Sequence, residues 1–126
     1  MTFVELEKKY QNNAVEDDGG YMSDEAKSFA KDINRYFADV ATESGAELVK
    51  FNIGHYYVSG FIGKNGKYMY FSYSIPRGES AINLYAGDFL EGILVRSAES
   101  TSDFTGGRNQ FCNFKNFKDA INSILA

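Results

Sequence analysis

HYYVSGFIGKNGKYMYFSYSIP, residues 55–76, decides the fold. Two runs rich in aromatic and β-branched side chains flank GKNGK, a compact hairpin turn whose glycine is available for positive φ. Strand side chains point alternately to opposite faces. In the second run Met69, Phe71, Tyr73 and Ile75 therefore share one face, and Tyr68, Tyr70, Ser72 and Ser74 share the other. The first set has the composition of a core. The second resembles the tyrosine- and serine-rich surfaces that bind proteins, where a rigid ring supplies contact area at small entropic cost. The plainer alternative is ordinary cross-strand pairing beneath a helix. Pro76 lacks the amide that a ladder needs and ends the run.

Working outward, ELVKFNIG (47–54) supplies a strand before the hairpin, and SAINLYA (80–86) and GILVRSA (92–98) supply two more after it. AGDFLEG joins these last two as a turn or a short helical piece. Before residue 45 the period is helical. Ser23 is placed to cap a helix, with Asp24 and Glu25 at the positive end of its dipole. Ala26, Phe29, Ala30, Ile33, Tyr36, Phe37, Val40 and Ala41 then repeat at three- and four-residue steps, and Gly45 stands where a C-cap is wanted. Thr2 and Glu5 fit a capping box, which predicts a first short helix to about Asn12 through Phe3, Leu6 and Tyr10. Between these helices NNAVEDDGGYM reads as an acidic loop. Helical spacing returns in NFKNFKDAINSILA (113–126), through Phe114, Phe117, Ile121, Ile124 and Leu125. The expected fold is a single α+β domain over residues 1–126: an antiparallel meander sheet of about five strands, with two N-terminal helices and one C-terminal helix packed on it.

Composition narrows the function. The chain has 126 residues, 44% apolar and 16% aromatic, enough to fold around one core. A single cysteine, Cys112, excludes an internal disulfide and any metal site built on cysteine pairs, which fits a reducing cytoplasm. No basic leader opens the chain and no apolar run approaches a membrane span, so a cytoplasmic protein is expected. The net charge is −4, with ten acidic residues against five basic up to Gly45 and seven against eight afterwards. Clustered Lys and Arg, which grip phosphates, are missing; this argues against duplex nucleic acid, and against base stacking on the tyrosine face. The acidic front, with Asp17, Asp18 and Asp24, either suits a protein partner with a basic surface or simply keeps the chain soluble.

Catalytic constellations are thin. His55 is the only histidine, and no serine or cysteine stands at a family spacing from it. Glu16, Asp17 and Asp18 precede a glycine pair without the EF-hand spacing, so they read as an acidic loop and no metal is expected. Cys112, at the start of the predicted last helix, is either a thiol activated by the helix N-terminus or, more in keeping with its aromatic neighbours, a small buried hydrophobe. No cofactor is expected.

SDFTGGRNQF (102–111) is the most oddly composed stretch. Its glycines could aim amides at a phosphate, with Arg96, Asp103, Thr105, Gly106, Gly107 and Arg108 around a small ligand. Neither the P-loop nor the dinucleotide spacing is met, however, because Arg108 and Asn109 follow Gly107. A rigid turn before the last helix, its glycines taking angles closed to other residues, is the competing reading.

The run ILVRSAESTSDFTGGRNQF, with Arg96-Ser97-Ala98, Asp103 to Gly107 and Asn109, resembles a segment of small accessory proteins carried by conjugative elements and phages of Gram-positive gut bacteria. YYVSGFIGKNGKYMYFSYSIPR resembles their central hairpin, so the likeness covers residues 55 to 111. It implies a context of small acidic interaction modules, some of them inhibitors of host defence such as anti-CRISPR proteins, and it brings no catalytic residues. The expected function is a non-enzymatic protein-binding module from a mobile genetic element. Three surfaces are candidates: the acidic helical face with Asp17, Asp18 and Asp24, the tyrosine face with Tyr68 and Tyr70, and the loop from Ser97 to Asn109. A phosphate- or nucleotide-binding protein is the alternative. An uncovered sheet edge would also let two copies pair.

Overall fold

In the computed structural model, the described residues are 2, 5–6, 24–53, 57–74, 92–102 and 106–126. Seven elements follow in order: α1 (Asp24–Glu43), β1 (Glu47–Ile53), β2 (Tyr57–Lys64), β3 (Lys67–Ser74), β4 (Ile93–Ala98), β5 (Gln110–Cys112) and α2 (Phe117–Ile124). The strands form one antiparallel sheet in the order β1-β2-β3-β4-β5, a meander in which each strand pairs with its neighbour in sequence. An α+β fold is thus present, with two helices among the described residues.

The α1 stripe is buried as its spacing requires, through Ala30, Ile33, Tyr36, Phe37, Val40 and Ala41. Its end is a Schellman motif: Gly45 sits at φ +71°, its amide donates to the Thr42 carbonyl at 3.0 Å, and that of Ala46 donates to Ala41 at 2.9 Å. The β2–β3 turn is the two residues Asn65 and Gly66, at φ 52° and 80°, the primed geometry whose twist suits a hairpin. Lys64 and Lys67 flank it directly opposite each other, which would ordinarily repel. Each ammonium is drawn to a helix end instead: Lys64 Nζ donates to the Ser44 carbonyl at 3.2 Å and Lys67 Nζ to the carbonyl of Ala126, just past α2.

Both helices cover one face of the sheet. The core there is aromatic, with the Phe37 ring 4.3 Å from Phe71 and 4.9 Å from Phe117, and Tyr73 edge-on to Phe114. Tyr36 donates its hydroxyl to the Phe114 carbonyl, tying α1 to the segment before α2, and burial raises its phenol well above the ordinary range. Met69, Phe71 and Tyr73 all lie in this core, as the alternation in β3 predicts.

Several expectations need correction or lie elsewhere. The fifth strand is Gln110–Cys112, where the sequence suggested only a turn before the last helix. A three-residue strand carries no legible period; it exists because β4 offers it an edge. SAINLYA and, but for Gly92, AGDFLEG lie outside the described residues, as does the first predicted helix apart from Thr2, Glu5 and Leu6. Those three do show the capping box: the Glu5 amide donates to Thr2 Oγ1 at 3.1 Å, and Glu5 Oε1 accepts from the Thr2 amide at 3.2 Å. That amide bond, helped by the Thr2 hydroxyl, holds the Glu5 carboxyl below its usual range. Leu6 is fully buried in the core.

Candidate functional site

The glycine-rich stretch answers its own question through sterics. Among the described residues the glycines with positive φ are Gly45, Gly66 and Gly92, so Gly106 and Gly107 are not needed for unusual backbone angles. They are needed for proximity. A Cβ on Gly106 would stand 2.0 Å from the Ser97 carbonyl oxygen, and one on Gly107 2.2 Å from Ser97 Oγ. The Gly107 amide donates to that same carbonyl at 2.9 Å, and Gly106 bridges Ala98. The pair lets the chain lie flat against the end of β4 and then run back as β5. With its amide engaged by Ser97, Gly107 has no donor left for a phosphate.

A prediction separates the two glycines. Gly106→Ala forces a backbone oxygen to move and is expected to cost about 2 kcal/mol, as overpacking does. Gly107→Ala meets only a rotatable hydroxyl and should cost less than about 1 kcal/mol. Urea denaturation of both variants, with hydrogen exchange at the Gln110–Cys112 amides, checks the order; equal costs would refute the close-approach account.

The face of the sheet away from the helices holds the other candidates. Tyr68 pairs with Ala98 and Tyr70 with Arg96. Tyr70 is 9% exposed, packed with Phe61 and Ala98 in a second small cluster that Tyr68 and Leu94 adjoin. The tyrosine face is therefore present in register, but Tyr70 spends its ring on packing. Arg96 lies over that ring, its guanidinium carbon 4.8 Å from the ring centre. Arg96 Nη1 donates to Asn109 Oδ1 at 3.2 Å. Tyr70, Arg96 and Asn109, far apart in sequence, are thus brought together. Arg108 stands exposed beside Asn109. Asp24 opens α1, with nothing described of its side chain, while Asp17, Asp18, His55, Asp103 and Thr105 lie outside the described residues.

One residue escaped the sequence reading. Phe111, opposite Leu94 on β5, is 70% exposed. Once β5 is in place, strand alternation accounts for it: Cys112 packs inward, so its neighbour points out. Cys112 sits in a strand, not at a helix start, and burial pushes its thiol up to about 11. It is a protonated, partly buried thiol at neutral pH.

At the hairpin end of the sheet an open cleft of about 690 Å³ is bordered by Lys67, Tyr68, Ser97, Glu99, Gly106 and Gly107. Among the described residues no three His, Cys, Asp or Glu side chains group as metal ligands. No helix of the described residues is long and apolar enough to cross a membrane. The arrangement offers contact and charge: a ring-stacked guanidinium, an exposed phenyl and a run of exposed polar residues. No family model, no curated protein and no solved structure matches the chain.

Proposed function

We propose that the chain is a non-enzymatic protein-binding module whose contact surface is the exposed run Gly106–Phe111 with Arg96 behind it. Phe111 carries this reading. A phenylalanine 70% exposed on a strand pinned by two glycines is an apolar anchor held in place before any partner arrives. Aromatic and arginine residues are the groups that dominate interface energetics, and preorganisation lowers the cost of ordering them. In the mobile-element setting that the resemblance implies, the partner is a cytoplasmic host protein and binding inhibits it. The acidic N-terminal third would face a basic patch of that partner.

Of the sheet's two outer strands, β1 is a poor edge for pairing two copies. β1 exposes Val49 and Ile53, but its register shifts between Leu48 and Lys50, and Lys50 projects from it. A bulge and a lysine both blunt a sheet edge.

Phe111→Ser tests the reading. Affinity capture from a host lysate at low and moderate salt should retain a stoichiometric protein with the native chain, and at least tenfold less with the variant, about 1.4 kcal/mol of binding. Because Phe111 is exposed, its melting temperature should barely change. Equal retention by both proteins would refute this surface. The cleft beside Gly106 favours one other reading, a small-ligand site. A ligand at 100 times its dissociation constant adds about 2.7 kcal/mol of stability, so a thermal shift with nucleotides or phosphates would support it.

A further inference from the structure

The register sets four side chains in one row across the sheet: Lys50 on β1, Phe61 on β2, Tyr70 on β3 and Arg96 on β4. The two rings are 5.3 Å apart, and Arg96 lies over the second. Among the described residues Arg96 is held by neutral groups, the Tyr70 ring beneath it and the Asn109 amide beside it. Its Nε is shut away from solvent without a hydrogen-bond partner, and among the described residues no carboxylate pairs with its charge. A guanidinium has five N–H donors in a rigid fork that matches a carboxylate. The ring and the amide hold that fork in place, and among the described residues none answers its charge.

The surroundings favour a carboxylate over a phosphate. Phosphate sites converge several backbone amides, and the Gly107 amide is already taken by Ser97. Phe111 lies diagonally across the β4–β5 pair from Arg96, roughly 7–8 Å away by strand geometry. Arg108, exposed next to Asn109, adds a second cation beside Arg96. Cation and exposed ring together fit an acidic side chain next to an apolar one.

We propose that Arg96 anchors an aspartate or glutamate of the partner protein, the carboxylate meeting its terminal amino groups while an adjacent apolar residue covers Phe111. This rests on the protein-binding reading above. It makes Arg96 a specificity determinant, and a lysine in its place would lack the planar fork.

The test follows the Arg96 Nε–H signal by NMR in the intact protein, since a shielded N–H exchanges slowly with water. The probes are an acetylated peptide of alternating Glu and Leu, its Gln–Leu counterpart, inorganic phosphate and an oligothymidylate. A saturable shift with the Glu peptide, at least tenfold weaker with each other probe, is expected. Arg96→Gln should abolish the accompanying shifts at Asn109 and Phe111, and Arg96→Lys, which keeps the charge and guards against a mere folding defect, should weaken binding about tenfold. Equal binding of the Gln peptide, a stronger response to phosphate or oligothymidylate, or no response to any probe overturns the assignment. Partner capture unchanged in Arg96→Gln but lost in Phe111→Ser would overturn the Arg96 anchor and leave the module intact. An Arg96 response to the Glu peptide with capture unchanged in Phe111→Ser would instead overturn the Phe111 surface.

Discussion

Phe37→Ala is expected to destabilise the protein by about 3–5 kcal/mol, the range for emptying a buried aromatic site. Phe37 is fully buried, and its ring packs against aromatics from three elements, among them Phe71 on β3, Phe117 on α2 and Tyr36 on its own helix. Rings at centroid distances of 4.3 to 5.3 Å cannot collapse into the gap without losing their own contacts. Against a typical stability of about 5–15 kcal/mol the loss is a large fraction. Urea denaturation of the native chain, Phe37→Ala and Phe111→Ser gives the comparison. The core variant should unfold at a much lower midpoint while the exposed one stays near native. A cost below about 1.5 kcal/mol would mean that α1 is not clamped to the sheet through this ring.

Gly60→Ala should be the most damaging of the glycine substitutions, at about 3 kcal/mol, the upper end of ordinary overpacking. Gly60 lies mid-strand on the core face, between Phe51 on β1 and Phe71 on β3 in register. An added Cβ would stand 2.2 Å from the Lys50 carbonyl oxygen and 2.9 Å from the Phe71 ring. The ring can turn; the carbonyl belongs to the bulged ladder and cannot move alone. The glycine leaves room for Phe51 and Phe71, whose rings are 6.4 Å apart, to cover the strand from either side. Chemical denaturation measures the cost, and hydrogen exchange along β1 locates it. Protection lost only at β1 would place the strain in the bulge, while protection lost throughout would place it in the core. A cost under about 1 kcal/mol would show that the bulge yields freely.

Both predictions lie in parts of the fold that were legible in different degrees. The α1 stripe and the Met69-Phe71-Tyr73 set could be read as core directly, because their spacing matches a backbone period. Gly60 could be read only as a glycine in a strand, since its crowding comes from a bulge in the neighbouring strand. For the candidate site, Arg96, Asn109 and the glycine pair could be singled out by composition. Their meeting could not, because it depends on β5 turning back along β4. Phe111 was passed over for the same reason.

The sequence alone determined the local shapes: α1 and its Gly45 cap, the Asn65-Gly66 hairpin, and which side chains of β3 face together. Sterics and backbone periodicity act within a few residues, so a short window contains their causes. The tertiary structure decided how those shapes are used. It buried Tyr70 against Phe61, aligned Arg96 over that ring, and pressed Gly106 onto Ser97 so that a three-residue strand could form and turn Phe111 outward. These outcomes depend on strand register and close packing between segments distant in the chain, and their energies arise only when those segments meet.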